Sequence, residues 1–241
     1  ATTEIYPLSL HDALPISIVG FSSEPDYRAD FGPFAPGFRI IPYGDAAALE
    51  AAITPRTAAF LVEPIQGEAG VVVPPAGYLA KAREICTRHR VLLIDDEIQT
   101  GFGRTGKPFC CDHENVRPDM LILGKALGGG FYPVSAVVSE KEILGQFEPG
   151  SHGSTFGGNP LAAALAREAI AIIRDERLAE RSAELGAWFM KERAPLKSPK
   201  VAEVRGKGLL IGVRLKPELG GARPYCEALK AQGMLCKETH R

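Results

Sequence analysis

The chain has 241 residues, of which 45% are hydrophobic and 24% charged, a balance typical of a globular protein with one large or two small domains. Its formal net charge is -1 with acids and bases interspersed, which disfavours a nucleic-acid partner and favours a small-molecule substrate. No apolar run approaches the length of a membrane span, and five cysteines without a C-x-x-C pair favour a reduced, cytoplasmic compartment.

Residues 1–16 show neither clean helical nor clean strand periodicity, whereas short apolar runs alternate with helical patterns from Ala58 onward. Four runs predict buried strands: AAFLVEPI, VLLIDDEI, DMLILGKA and VSAVVS. Between the first two, AGYLAKAREICTRHR has apolar residues at helical spacing and basic residues at its C-terminal end. Continuous apolar strands separated by helices and loops are typical of an α/β fold with a mostly parallel sheet flanked by helices.

The pattern changes after the Gly-rich segment HGSTFGGN. A long helix is predicted to begin at Pro160 and to break near Asp175. The later segments GKGLLIGVRL and RPYCEALKAQGM predict a strand and a helix of a smaller α+β domain. We therefore predict a larger domain at 17–175 and a smaller C-terminal domain at 176–241, and we expect residues 1–16 to be a non-native leader.

Polar side chains follow three of the predicted strands at their carboxyl ends. Glu63 and Glu68 follow the first strand, Asp96 and Gln99 the second, and Lys125 the third. Because the carboxyl ends of parallel strands meet at one edge of the sheet, and ligands of such sheets bind there, we expect these residues to form one site.

The segment GFGRTG carries the G-x-G-x-x-G spacing of a dinucleotide-binding loop. That loop must follow its strand at once and open a helix, but three acids precede these glycines and no helical pattern follows them. A P-loop is excluded at GKALGGG, because Lys125 is followed by Ala126 and not by Ser or Thr. We predict that the glycines form a turn.

The consecutive acids of DDEI also raise the possibility of a metal. Side chains alternate along a strand, so at most Asp95 and Glu97 share a face, and no histidine is close in sequence. A turn-capping or pairing role for these two acids and a role in chemistry both stay open. Cys110 and Cys111 with His113 match no zinc spacing, so we predict packing residues there and no metal.

Lys125 at a strand end indicates a different chemistry. We expect this lysine to be buried or half-buried, which lowers the pKa of its amine and makes it a nucleophile suited to a Schiff base. A carboxylate on the neighbouring strand, Asp96, can hold the pyridine nitrogen of pyridoxal phosphate protonated, so that the ring acts as an electron sink. The combination indicates a pyridoxal-phosphate site.

Four blocks of the sequence resemble the class III pyridoxal-phosphate aminotransferases: VEPIQGEAGVVVPPAGYL, LLIDDEIQTGFGRTGK, PDMLILGKALGGGFYPVSAVVS and GSHGSTFGGNPLAAALA. The likeness is continuous from about residue 17 to about residue 240. Within that class, FGPFAPGF, GEAGVVVP, YPVSAV and the CKETH segment are most similar to the ornithine aminotransferases. The resemblance implies a fold-type I pyridoxal-phosphate-transferase fold.

The resemblance also implies roles for single residues. Lys125 matches the lysine that bonds the cofactor and moves protons, and Asp96 matches the partner of the pyridine nitrogen. Gln99 matches a donor to the phenolic oxygen of the cofactor, and Thr155 a phosphate ligand supplied across a dimer interface. Glu68 matches an acid that pairs with the arginine binding the substrate carboxylate.

The implied reaction is transfer of the δ-amino group of L-ornithine to 2-oxoglutarate, giving glutamate 5-semialdehyde and glutamate, in a cytoplasmic homodimer with shared active sites. The alternatives are an acetylornithine or other ω-amino acid aminotransferase and a non-catalytic remnant. The opening TEIYPLSLHDALPI resembles a translated sequencing adapter. We therefore expect a poorly active fragment, truncated at both ends, without the family's phosphate loop, stacking aromatic residue and carboxylate-binding arginine.

Overall fold

The computed structural model describes residues 3–6, 19–20, 22, 28–193 and 198–239. The strands are β1 (Thr3–Tyr6), β2 (Ala59–Val62), β3 (Leu92–Asp96), β4 (Met120–Leu123), β5 (Ala136–Glu140), β6 (Val201–Lys207) and β7 (Leu210–Leu215). The α-helices are α1 (Ala46–Ala52), α2 (Tyr78–His89), α3 (Lys141–Leu144), α4 (Pro160–Asp175), α5 (Leu178–Arg193) and α6 (Arg223–Ala231). Short 3-10 helices span Cys110–Glu114, Lys125–Gly128 and Pro217–Leu219.

Five strands form one sheet in the order β1-β5-β4-β3-β2. Strands β2, β3 and β4, on one side of the sheet, are parallel. Strand β2 pairs with β3, placing Val62 beside Asp95, and β3 pairs with β4, placing Asp96 beside Ile122. The predicted α/β fold, with helices flanking a sheet of continuous apolar strands, is confirmed. The predicted leader lies mostly outside the described residues, and its described part, β1, pairs antiparallel with β5.

The fourth predicted strand differs in direction from the other three. We expected β5 to be parallel, but it pairs antiparallel with β4. A parallel partner needs a crossover, usually a full helix, to carry the chain back along the sheet. Between Leu123 and Ala136 the chain forms only the short Lys125–Gly128 helix and a loop. Strand β5 therefore begins at the same end of the sheet at which β4 ends, and it runs back in the opposite direction.

Helix α2 covers one face of the sheet as its periodicity predicts. Its buried residues, including Leu79, Ala82 and Ile85, recur every three or four positions and share a hydrophobic core with Leu93 of β3. The helix ends where Arg90 adopts a left-handed conformation, with a φ of 56°, and its amide donates to the carbonyls of the last turn. This packing fixes β3 and therefore the residues at its carboxyl end.

The C-terminal elements follow the sequence pattern except for one strand. Helix α4 begins with Pro160, and the Asn159 side chain caps it by accepting from Ala162 N at 2.8 Å. The predicted break is confirmed, because α4 ends at Asp175 and α5 begins at Leu178. Strand β6, VAEVRGK, was not predicted, since it is rich in charged residues and depends on pairing with β7. None of the helices in the described residues is both long and apolar enough to cross a membrane.

Candidate functional site

The carboxyl ends of β2, β3 and β4 bring the predicted polar residues to one edge of the sheet. Asp96 closes β3, Glu63 follows Val62 of β2, and Lys125 stands two positions after β4 ends. The charges of Asp96 and Lys125 both act on the pKa of Glu63, in opposite directions, as expected of neighbouring groups. The predicted convergence of strand ends is confirmed for these residues.

Asp96 is a half-buried carboxylate held by its own chain. Its Oδ1 accepts a hydrogen bond from Ile98 N at 3.0 Å, which fixes the side chain at the turn after β3. Burial raises the pKa of Asp96, while the Ile98 amide and the Lys125 ammonium oppose that rise. A carboxylate that is fixed and partly desolvated can form a strong charge-assisted hydrogen bond to a protonated ring nitrogen.

The side chain of Gln99 occupies space that is free only because residue 67 is a glycine. A Cβ on Gly67 would lie 2.5 Å from Gln99 Oε1, so the absence of a side chain there makes room for the amide. Gln99 Nε2 donates to Glu68 Oε1 at 3.1 Å. The β2–α2 loop and the β3 turn are thus joined beside Asp96.

Glu68 also has a cationic partner in the described residues. Lys237 Nζ donates to Glu68 Oε2 at 2.5 Å, and this contact lowers the pKa of Glu68. The role of Glu68 beside a substrate-binding arginine stays a prediction. Lys237 belongs to the CKETH segment, 169 positions away, and no local pattern in the sequence connects the two residues.

Glu63 is held from two directions. Its Oε2 accepts from Gly67 N at 3.1 Å, and its backbone carbonyl accepts from the Tyr43 hydroxyl at 3.0 Å. Burial raises the pKa of the Glu63 carboxyl. Sequence reasoning missed Tyr43, which lies before α1 and whose hydroxyl also bonds the carbonyl of Pro64 at 3.0 Å. These bonds fix the start of the loop that carries Glu68.

Lys125 occupies the predicted place but not the predicted environment. We expected a buried or half-buried lysine, and the residue is exposed. The reason is its position: it follows extended Gly124 at the open edge of the sheet and is the first residue of a short helix that buries Leu127 instead. Its φ is 44°, in the left-handed region, so backbone strain is concentrated at this residue. Strain of this kind recurs at functional sites.

Thr155 is separate from this cluster. It is exposed in the loop before α4, and no hydrogen bond joins it to Asp96, Gln99 or Lys125 in the described parts of the chain. A residue that serves the site of a neighbouring subunit need not contact its own, so its role stays a prediction.

The remaining acids of DDEI lie on the other face of β3, as alternation predicts. Asp95 and Glu97 are both fully buried. Glu97 accepts hydrogen bonds from the Thr100 hydroxyl and, at 2.9 Å, from Cys111 N. It therefore organises the turn, which was one of the two open interpretations. Burial and the charge of Glu97 raise the pKa of Asp95 to about 8.

The glycines of GFGRTG form a turn that packs against α5. Gly103 and Gly106 have φ values of 86° and 94°, which side chains rarely adopt. A Cβ on Gly106 would lie 2.9 Å from Cβ of Ala183, and one on Gly103 would lie 3.1 Å from Cα of Ala179. The glycines serve turn geometry and close packing, and no helix N-terminus follows to bind a pyrophosphate.

A cavity of about 930 Å³ in the described residues lies elsewhere. It is lined mainly by apolar side chains of the glycine turn, β5 and α4, among them Phe102, Tyr132 and Ile170. Neither Asp96, Gln99 nor Lys125 lines it. Because these three polar residues lie outside the cavity, we place the candidate site at the carboxyl ends of the strands and not in the cavity.

A profile of the family described as Aminotransferase class-III matches residues 16–241. This chain belongs to the class III aminotransferases. The predicted family is therefore confirmed, and with it the predicted fold class.

Individual relatives agree with this assignment. The chain is 59% identical over 225 residues to an ornithine aminotransferase of Brevibacillus brevis, covering 93% of this chain and 56% of the relative. A solved ornithine aminotransferase of Toxoplasma gondii matches with a TM-score of 0.91 at 47% identity, over 93% of this chain and 54% of that one. A solved acetylornithine aminotransferase of Elizabethkingia anophelis matches with a TM-score of 0.81 at 51% identity, over 91% and 55%. The chain spans about half the length of the curated relatives it matches.

The family uses pyridoxal phosphate, and the side chains at the sheet edge fit the ring of that cofactor. Asp96 offers a fixed carboxylate, Gln99 an amide seated over Gly67, and Lys125 a primary amine. An acid for the ring nitrogen, a donor for the phenolic oxygen and an amine for the aldehyde are the complementary groups.

Proposed function

We propose that this chain forms the ring-binding part of the active site of a pyridoxal-phosphate-dependent aminotransferase. The observation that carries the proposal is the meeting of Asp96, Gln99 and Lys125 at the carboxyl edge of the parallel strands. The 59% identity to an ornithine aminotransferase supports L-ornithine as the amino donor. In the proposed reaction the δ-amino group passes to 2-oxoglutarate, giving glutamate 5-semialdehyde and glutamate.

Each residue has a defined task in this proposal. The bound cofactor supplies an electron sink for the carbon that loses its proton. Asp96 holds the proton on the ring nitrogen, and Gln99 donates to the phenolic oxygen. Lys125 would hold the cofactor through Nζ, and once the substrate amine displaces it, the freed amine would accept and return a proton at the substrate carbon that bears the amino group. A well-placed base of this kind contributes about 10²- to 10⁴-fold in rate.

The remaining assignments concern the substrate and the assembly. Glu68 lies one hydrogen bond from Gln99 and pairs with Lys237, so it is placed to hold a cation beside the substrate. Thr155 binds the cofactor phosphate of a second subunit in a homodimer with shared sites. Five cysteines that are all free support a reduced compartment, and we place the enzyme in the cytoplasm.

The first experiment tests cofactor binding by Lys125. The purified chain is mixed with pyridoxal phosphate and reduced with borohydride, and the labelled peptides are identified by mass spectrometry. We expect the label on Lys125, its loss in Lys125→Ala, and its retention in Lys230→Ala, which removes an exposed lysine far along the chain. A label spread over surface lysines and unchanged in Lys125→Ala would contradict the proposal.

A second candidate activity is supported by the 51% identity to the acetylornithine aminotransferase structure. Rates of amino transfer to 2-oxoglutarate from ornithine and from N-acetylornithine distinguish the two. We expect the higher kcat/KM with ornithine. A preference for N-acetylornithine reassigns the donor, and cofactor labelling without transfer from either donor indicates a non-catalytic remnant.

A further inference from the structure

Three ligand-type side chains meet inside the protein on the face of β3 that Asp96 does not use. We call Asp95, Glu97 and Cys111 the buried cluster. The first two are 0% exposed and Cys111 is 2% exposed. A carboxylate oxygen of each acid and the Cys111 sulfur all lie within 4.8 Å of one another. Strand β3 supplies the acids, and the Cys110–Glu114 helix supplies the thiol.

Asp95 is the unusual member of the buried cluster. Neither its Oδ1 nor its Oδ2 has a hydrogen-bond partner in the described residues. Glu97, in contrast, accepts from the Thr100 hydroxyl and from Cys111 N. Native proteins seldom leave both oxygens of a buried carboxylate without a partner, and such a group commonly indicates a missing ion or water. Asp95 therefore points to a ligand.

The basic side chain that acts on Asp95 is already engaged. Arg83 influences Asp95 electrostatically, but its Nη1 donates to Asp119 Oδ2 at 2.6 Å. Asp119 is also bonded by Leu93 N at 2.7 Å, so this pair is complete without Asp95. Within the described residues, no lysine or arginine bonds the oxygens of Asp95.

We propose that the buried cluster is a binding site for one divalent zinc ion. Zinc accepts both carboxylate oxygen and thiolate sulfur, whereas magnesium and calcium prefer oxygen alone, so the thiol selects the metal. Three protein ligands leave one position of a tetrahedral shell to water. On binding, the Cys111 thiol and the Asp95 carboxyl release any proton they hold to solvent, and the sulfur and a carboxylate oxygen bond the ion.

Such a site has a structural consequence for the sheet edge. The ion would tie the carboxyl end of β3 to the segment that carries Cys111, directly behind Asp96. It binds the folded chain and not the unfolded chain, so it stabilises the fold by mass action.

The test uses the whole chain, stripped of metals with a chelator and then supplied with zinc alone. Metal content after desalting and the melting temperature are measured with and without zinc. We expect one zinc per chain and a higher melting temperature. Cobalt replaces zinc in a parallel sample, in which a sulfur-to-cobalt charge-transfer band reports the thiolate ligand directly.

Two variants are compared with matched controls. Cys111→Ser and Asp95→Asn should weaken zinc binding at least about tenfold, and Cys111→Ser should abolish the cobalt band. The controls remove the same residue types outside the buried cluster: Cys226→Ser and the exposed Asp175→Asn. Both should bind zinc as the parent does.

Three results overturn the proposal. The first is a parent chain that takes up no zinc and shows no cobalt band, a result that does not depend on any variant folding. The second is zinc uptake that Cys226→Ser abolishes and Cys111→Ser leaves intact, which places the metal at the C-terminal cysteines. The third is a cobalt spectrum with no sulfur ligand.

Discussion

Asp96 and Asp95 are joined by one peptide bond, yet they lie in two different environments. Asp96 faces the open edge of the sheet, where an amide donates to its carboxylate and the Lys125 ammonium acts on it. Asp95 faces the interior, where neither of its oxygens has a partner in the described residues. The surroundings of Asp96 suit the protonated ring of pyridoxal phosphate, and the surroundings of Asp95 suit a metal cation.

The difference follows from the two-residue period of a strand. Exposure alternates along β3, with Leu93, Asp95 and Glu97 buried and Asp96 half-buried. Three consecutive carboxylates in sequence are therefore divided between two faces, and their proximity along the chain does not make them one site. Substitutions on the buried face should therefore change stability, and substitutions at the open edge should change cofactor binding.

The largest expected effect comes from Glu97→Ala. The substitution removes the acceptor of the Thr100 hydroxyl and of Cys111 N and leaves both buried donors unpaired. We expect a loss of about 2–4 kcal/mol in the free energy of unfolding, because an unsatisfied buried group costs about 1–3 kcal/mol. Urea denaturation in the presence of a chelator measures this loss without a contribution from metal.

Two further variants calibrate that result. Glu97→Gln keeps an oxygen for Cys111 N and should lose less. Glu180→Ala removes an exposed glutamate paired with Arg177 and should leave stability nearly unchanged, because solvent screens exposed ion pairs. Equal losses in Glu97→Ala and Glu180→Ala would show that the buried bonds contribute nothing.

Asp95→Val should act in the opposite direction in metal-free protein. It removes a buried carboxyl that has no partner, so we expect a gain of about 1–3 kcal/mol in unfolding free energy at pH 7. Burial raises the pKa of Asp95 to about 8, so the unfolded chain releases this proton at lower pH than the folded chain. The native Asp95 therefore becomes more costly as pH rises, and the gain should grow from pH 5 to pH 8.

Asp119→Val provides the matched control for this gain. Asp119 is an aspartate near the same strand, but Arg83 and Leu93 N both donate to it. The same substitution should therefore destabilise the protein there. If both variants stabilise the protein, the partners of a buried carboxylate do not decide its contribution.

The sequence predicts the frame of the site better than its details. Apolar runs that end in Glu63, Asp96 and Lys125 were enough to place these residues at one edge, since parallel strands align their carboxyl ends. The direction of β5 and the pairing of β6 were not predictable in the same way. The direction of β5 follows from the short connection after β4, and the pairing of β6 depends on β7, and local periodicity encodes neither.

The partners of the side chains were the least predictable feature. Glu68 and Lys237 are 169 positions apart, and Asp95 meets Cys111 across a turn that has no metal-binding spacing. Such contacts arise when separate elements pack, so a motif that is local in sequence cannot report them. The exposure of Lys125 was mispredicted for the same reason: burial depends on the elements that cover a strand end, not on the strand itself.

The smallest expected effect on stability is that of Gly67→Ala, which tests whether Gly67 leaves room for the Gln99 amide. Gly67→Ala places a Cβ where Gln99 Oε1 now lies, 2.5 Å away, and the flexible amide can move aside. Stability should change by about 0.5 kcal/mol or less. The affinity for pyridoxal phosphate should fall about two- to tenfold, the equivalent of one hydrogen bond of about 0.5–1.5 kcal/mol. A fluorescence titration of each variant with pyridoxal phosphate measures the affinity.

A double-mutant cycle decides whether Gln99 carries this effect. Gln99→Ala alone should weaken cofactor binding to a similar extent, and Gly67→Ala added to Gln99→Ala should cost nothing further, because the side chain it displaces is absent. Additive losses would mean that Gly67 meets the cofactor directly and that the position of Gln99 is incidental. Non-additive losses of cofactor affinity, with unchanged urea midpoints of the variants, would show that the open edge governs cofactor binding and not stability. Stability is then assigned to the buried face of β3.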